Sequence, residues 1–224
     1  RDRQITVIPA IGANSDSVAE YVMTAMLVMM RPVWNATTAM IDGTFPRQLM
    51  GQGCEIGGKV LAVIGFGGIG RNVARRASAM GMKVMAYDPA FQPEAGLEVI
   101  AASLPECLAA ADAISLHMPL TDDTRHMINA ETISQMKTGA VLINTARGGM
   151  IDHVALANSL RSGDLGGATI DVFTDEPPAK DALDMFRGLD NIWLTPHIAG
   201  VTQEATKRVS WMTVEAVAKH LSLG

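Results

Sequence analysis

Lys59-Val60-Leu61-Ala62-Val63-Ile64-Gly65-Phe66-Gly67-Gly68-Ile69-Gly70 is the stretch on which the fold turns. Val60 to Ile64 is a short apolar run, rich in β-branched residues, of the length a buried strand takes. Glycines at 65, 67 and 70 follow at once, and the residues through Met80 read as a helix. A lone G-x-G-x-x-G is weak evidence, but one that leaves a strand and opens a helix has the context of a dinucleotide-binding turn. Gly65 would allow the tight turn, Gly67 the approach of backbone to a pyrophosphate, and Gly70 close helix–strand packing. The N–H groups of Gly68 and Ile69, at the positive end of the helix, would face the phosphate oxygens.

Downstream, strand and helix patterns alternate. Val84–Tyr87, Leu97–Ile100, Ala113–Leu116, Val141–Ile143, Ala168–Val172 and Ile192–Leu194 read as strands. Ser103–Ala110, Ala130–Met136 and His153–Leu160 read as helices between them. Strands apolar on both faces and joined by helices predict an α/β fold, a doubly wound Rossmann-type parallel sheet with helices on both faces. No internal repeat or low-complexity tract is visible.

Asp88 ends the second strand, 18 positions after Gly70. That is close to the roughly 20-residue offset of a carboxylate that binds the adenosine ribose. Its plainer reading is a turn cap before Pro89. Pro89 to Gly96 holds no Lys or Arg, and Glu94 adds a second negative charge. A 2′-phosphate would be repelled there, so NAD is expected over NADP.

Before the nucleotide turn, Ile5–Pro9 is a β-like run. A helix from Ser17 to Arg31 follows, with Ser17 and Glu20 spaced as a capping box and Arg31-Pro32 closing it. Val18, Tyr21, Val22, Ala25, Met26, Met29 and Met30 fall on one helical stripe. The methionines read as adaptable packing surface, part of it against another subunit. Residues 34–58, broken by six glycines and prolines, read as an arm. The expected division is 1–58 crossing strand, helix and dimerisation arm, 59–200 dinucleotide-binding domain, and 201–224 a C-terminal segment whose helix runs from Thr213 to Leu221.

The 224 residues are 48% hydrophobic and 18% charged, which excludes general disorder. With 23 acidic against 18 basic residues the formal charge is −5, which argues against a nucleic-acid partner. Cys54 and Cys107 show neither disulfide nor metal-ligand spacing, so a reduced, cytoplasmic chain without a metal is expected. Val22–Met30 is too short to span a bilayer, so no membrane partner is expected. The chain opens at Arg1 without a methionine, as a processed chain or part of a longer one would.

Three further stretches follow apolar strands: Asn144-Thr145-Ala146-Arg147-Gly148-Gly149, Asp171-Val172-Phe173-Thr174-Asp175-Glu176-Pro177 and Thr195-Pro196-His197-Ile198-Ala199-Gly200. Parallel sheets hold ligands beyond the carboxyl ends of their strands. A guanidinium there can pair two-pronged with a substrate carboxylate, which a lysine cannot do. A carboxylate and an imidazole complete an acid–base set. With Asn14 through Glu20 and the glycine turn, these motifs resemble, in order, the D-isomer-specific 2-hydroxyacid dehydrogenases over essentially the whole chain.

The resemblance implies hydride exchange between NAD and a small D-2-hydroxy acid or 2-oxo acid, in a homodimer joined through the Ser17–Arg31 helix and the arm. His197 would be the general acid in reduction and the base in oxidation. Glu176 would fix its tautomer and favour its charged form. Arg147 would orient the substrate. Asp171 would lie near the nicotinamide carboxamide, and Met118, Pro119, Thr145, Ala146 and Gly200 would line the dinucleotide. His117, at a strand end, is either a cofactor contact or a structural histidine; His126, His153 and His220 have no motif context.

Two departures stand out. Tyr21 occupies a position where the family often has His, and the family's separate substrate domain has no counterpart here, so a chain lacking it would bind NADH without turning over. The other function class open to this fold is a non-enzymatic, NAD-responsive, corepressor-like binding protein, which a turnover assay would separate. Formate or phosphite oxidation is a further variant, and Glu176 argues against the formate-specific form, which typically has Gln. Lactate, glycerate, phosphoglycerate, sulfolactate and branched 2-hydroxy acids all remain open as substrates.

Overall fold

Successive residues of the strand before the glycine turn enter different cores, and this sets the layers. A computed structural model describes residues 6–31 and 36–221, with the main chain alone at 49 and 50. In β1 (Val60–Ile64), Leu61 and Val63 face one apolar cluster while Ala62 and Ile64 face the other. A strand alternates its side chains, so a sheet covered on both sides is buried, and mostly apolar, on both faces of its central strands. β4 (Ala113–Leu116) and β5 (Ala140–Asn144) are buried throughout for that reason.

The remaining strands are β2 (Lys83–Tyr87), β3 (Ile100–Ala101), β6 (Leu165–Ile170) and β7 (Ile192–Leu194). All pair in parallel, in the order β3-β2-β1-β4-β5-β6-β7. The strand order reverses between β1 and β4, where doubly wound sheets open their ligand crevice. The expected α/β fold is thus observed.

One face of the sheet is covered by α1 (Ser15–Met30) and α4 (Gly68–Ala79), which pack on each other. The other face carries α5 (Leu104–Ala110), α6 (Ala130–Ser134) and α7 (His153–Ser162). Ser103 with Glu106, Asn129 with Thr132, and Asp152 cap these three helices through side-chain acceptors, which fixes where each begins. Two short helices, α2 (Ala36–Ile41) and α3 (Arg47–Met50), lie in the arm, and α8 (Gln203–His220) closes the described chain.

Several local expectations are corrected. Residues 6–10 form no strand, and Ile5 lies outside the described residues, as does Pro32. The first helix begins at Ser15, because Val18 N–H already bonds Asn14 C=O at 3.0 Å. Ser17 is therefore inside the helix, and its hydroxyl pairs with Thr202 at 2.9 Å instead of capping. Met23, Met26 and Met30 are buried in the chain's own core, so these methionines seat α1 on the sheet, while Met29 is half-buried. Exposed apolar side chains are found in the arm, at Met40, Ile41 and Phe45. The third strand is only Ile100–Ala101, and the last helix starts ten residues before Thr213, at Gln203.

Candidate active site

The glycine turn is shaped by what a side chain would strike. A Cβ on Gly65, where φ is +100°, would lie 2.7 Å from the main chain of His117, and one on Gly70 would lie 2.1 Å from Gly65 C=O. Above Gly67 there is open space. The first helical bond of α4 runs from Arg71 N–H to Gly67 C=O at 3.0 Å. The N–H groups of Gly68, Ile69 and Gly70 precede it and have no helical acceptor. Open space over free donors at a helix start is what a dinucleotide pyrophosphate fits. The Thr145 hydroxyl, buried without a partner, is a further polar group available to such a ligand.

Asp88 caps its turn and also reaches the glycine turn. Its Oδ1 accepts from Ala90 N–H at 2.8 Å, a turn cap, and its Oδ2 accepts from Phe66 N–H at 2.7 Å, inside the glycine turn. The carboxylate is thereby fixed beside the glycine turn with lone pairs to spare. His117 continues β4 alongside β1, its N–H on Ile64 C=O at 2.7 Å and its Nε2 2.9 Å from Ser115 Oγ. Burial pushes its imidazole down to about 4, so the ring is neutral at physiological pH. Met118 beside it is half-buried and Pro119 is exposed.

At the other end of the rim, three adjacent strands deliver the three motifs. Asp171 N–H bonds Asn144 C=O at 3.0 Å, and Thr195 N–H bonds Ile170 C=O at 3.0 Å, so the ends of β5, β6 and β7 are stitched together. Asn144, fully buried, braces the first loop from both sides. Its amide donates to Arg147 C=O at 2.9 Å, and its carbonyl accepts from Ala146 N–H at 3.0 Å. The Arg147 side chain is exposed and donates to Ala146 C=O at 2.6 Å. Gly148 lets this loop lie on the next one, since a Cβ there would fall 2.1 Å from Phe173 carbonyl carbon.

Glu176 accepts from His197 Nδ1 at 2.6 Å through Oε2 and from Phe173 N–H at 2.9 Å through Oε1. The hydrogen bond from His197, then that from Phe173, holds its carboxyl below the usual range, and the nearby Arg147 charge adds in the same direction. The His197 side chain is 53% exposed, so with Nδ1 committed its Nε2 can be reached from solvent. Beside the pair is a cavity of about 430 Å³, walled by Phe173, Pro177, Pro178, Leu183, Leu194 and Pro196.

Asp171 is completely buried. Its carboxylate accepts from Thr195 Oγ1 at 2.6 Å, Ile198 N–H at 2.8 Å and Ala199 N–H at 2.9 Å. Those bonds gather the turn in which His197 adopts a left-handed φ of +54°, a conformation that costs a non-glycine residue about 1–2 kcal/mol. Every oxygen of Asp171 is spent on the chain itself, so it positions this loop from beneath. Gly200 makes room for the Asn14 side chain, which a Cβ would strike at 2.4 Å.

Sequence reasoning passed over Asn144, Thr195 and the pair Arg71 and Arg75. Tyr21 was read as part of the helical stripe and as a departure from the family, yet its hydroxyl bonds Thr195 Oγ1 and so extends the Asp171 network into α1. Burial pushes that phenol up to about 12. Arg71 and Arg75, four apart on α4, share a helix face, and that spacing was the signal available.

Among protein families, the model described as "D-isomer specific 2-hydroxyacid dehydrogenase, NAD binding domain" matches residues 23–199. The chain belongs to this family. The (S)-sulfolactate dehydrogenase of Chromohalobacter salexigens is 46% identical over 227 residues, covering 100% of this chain and 72% of that protein. The hydroxypyruvate reductase of Thermotoga maritima is 44% identical, again over 100% of this chain and 72% of the relative. A solved D-lactate dehydrogenase from Aquifex aeolicus, complexed with NAD and lactic acid, superposes with a TM-score of 0.87 at 34% identity, covering 94% of this chain and 68% of that one. The chain is therefore an NAD-dependent oxidoreductase of the 2-hydroxyacid class, and these relatives lend no support to the corepressor-like alternative.

Proposed function

We propose that His197, Glu176 and Arg147 carry the reaction, in which a small 2-oxo acid and its D-2-hydroxy acid are interconverted. The observation that supports this most directly is the 2.6 Å bond between His197 Nδ1 and Glu176 Oε2, which leaves Nε2 as the ring's working nitrogen. NAD, when bound, supplies or accepts the hydride. In reduction, the Nε2 proton of His197 passes to the carbonyl oxygen as the carbonyl carbon gains the hydride. In oxidation the same nitrogen takes the hydroxyl proton. Glu176 keeps the Nδ1–H tautomer and stabilises the charged ring. The Arg147 guanidinium grips the substrate carboxylate with two parallel bonds, and its N–H groups not given to Ala146 C=O are available for them. Gly65, Gly67, Gly68, Ile69 and Gly70 hold the pyrophosphate, Asp88 the adenosine ribose, and His117, Met118, Pro119, Thr145, Ala146 and Gly200 line the rest of the dinucleotide, with Asp171 bracing the turn that carries His197 and leads to Gly200.

The names of the two relatives place hydroxypyruvate and (S)-sulfolactate first in a substrate panel. Absorbance at 340 nm, followed in the intact protein with NADH or NAD and this panel, tests the reading. No oxidation or reduction of any 2-hydroxy or 2-oxo acid would defeat it.

The arm supports a two-fold homodimer, since Met40, Ile41 and Phe45 are exposed there. Two unpaired cysteines, one exposed and one buried, support a cytoplasmic location. No helix among the described residues is long and apolar enough to cross a membrane. The division into a crossing-and-arm segment, a dinucleotide domain and a C-terminal helix is kept as a functional partition.

A further inference from the structure

The nucleotide end contains a charge cluster assembled from two elements. Arg71 and Arg75 project from α4, and both reach Glu94, which stands in the loop after β2. Arg75 donates to Glu94 Oε1 through Nε at 2.8 Å, with Nη2 at 2.6 Å from the same oxygen. Arg71 Nη1 lies 3.4 Å from Oε2, and its Nη2 donates to Gln92 C=O at 2.8 Å. The Arg71 guanidinium also sits 4.6 Å above the centre of the Phe66 ring, which stacks on Phe91 with centroids 5.0 Å apart. Phe66 is the residue whose N–H the Asp88 carboxylate holds. Phe66 thus links Asp88, the carboxylate expected at the adenosine ribose, to the Arg71 guanidinium, and Glu94 links Arg71 to Arg75.

Glu94 was expected to add a free negative charge against a 2′-phosphate. It is not free: the Arg75 hydrogen bond, ahead of that from Arg71, lowers its carboxyl from the usual range, and it is spent as a counter-ion. A 2′-phosphate is recognised by planar, two-pronged guanidinium pairs, and both of the groups able to make them here already have a carboxylate. We propose that Glu94 is a specificity-determining residue: it keeps Arg71 and Arg75 from the 2′-phosphate of NADP, so NADP is refused through withheld attraction as well as through the charge of Asp88. This rests on the glycine turn being the dinucleotide site.

Calorimetric titration of the intact protein with NADH and NADPH tests it, the quantity read being Kd for NADPH divided by Kd for NADH. Asp88→Ser should lower that ratio by removing the repulsion. Adding Glu94→Gln should lower it by about a further tenfold, the effect of one freed charge at short range. Adding Arg75→Ala to that pair should raise it again. Glu94→Gln alone should move it down by a smaller factor, which guards against a double variant that fails to fold. Equal ratios with and without Glu94→Gln would overturn the proposal, as would a gain that Arg75→Ala does not reverse, since that gain would come from lost negative charge in general. An unmodified protein that binds neither dinucleotide would remove the site reading itself, a result distinct from either.

Discussion

The main-chain N–H of His197 donates to the main-chain carbonyl of Asp171 at 2.8 Å. The imidazole therefore hangs from the end of β6, although its residue follows β7 in the chain. Its ring then returns to Glu176, five positions beyond Asp171, so one loop supports both the backbone and the side chain of the proposed acid.

Replacing His197 with Ala should lower kcat for 2-oxo acid reduction by about 10²–10⁴, with the Kd for NADH little changed. Glu176→Gln should lower kcat as well, and by less, because the amide oxygen still accepts from Nδ1–H but no longer neutralises the charged ring. Steady-state rates alongside calorimetry with NADH distinguish the two. Retained turnover in His197→Ala would exclude it as the acid.

Asp171→Asn replaces one acceptor oxygen by a donor among three converging donors. At least one buried donor then loses its partner, at about 1–3 kcal/mol. Thermal unfolding should show a lower Tm. The loss of kcat should exceed any change in NADH affinity, because the loosened turn is the one that holds His197 in its left-handed conformation.

Gly148→Ala drives a methyl into the main chain of Phe173 and Thr174, at 2.1 and 2.4 Å. Backbone cannot rotate away as a side chain does, so a stability loss of about 1–3 kcal/mol or more is expected. Arg147 and Glu176 lie on the two loops forced apart, so both KM for the 2-oxo acid and kcat should deteriorate. Normal kinetics with a normal Tm would show that the loops have slack.

The lowered pKa of His117 fixes the sign of one pH effect. The unfolded chain protonates this ring near 6.5 and the folded chain only near 4. Between those values the unfolded state binds more protons, so stability falls as pH drops from 6.5 to 4. The contribution is on the order of 3 kcal/mol. His117→Asn should flatten the Tm profile across that window, and an unchanged slope would mean that the ring protonates freely in the folded protein.

The strand-turn-helix from Val60 to Ala79 was legible because two independent local signals, the length of the apolar run and the glycine spacing, coincide there. The Arg147, Glu176 and His197 motifs were legible for a related reason: each follows a strand apolar on both faces. What escaped depended on distant partners. Ser17 and Glu20 have the spacing of a cap, but the Ser17 hydroxyl is taken by Thr202, 185 positions away. The α1 methionines suit either a subunit contact or a sheet, and only the position of β5 and β6 beneath that helix decides. Glu94 looks like a loose charge until α4 brings Arg71 and Arg75 to it.

β7 is three residues long, sits at the edge of the sheet, and immediately precedes the turn that Asp171 gathers. The proposed acid–base pair therefore depends on the docking of the last strand in the chain, only three residues long and paired on one side alone. In refolding from denaturant, catalytic recovery should lag behind helical ellipticity and the return of dinucleotide affinity, which makes enzymatic rate a stringent gauge of how far the chain has reached its native state.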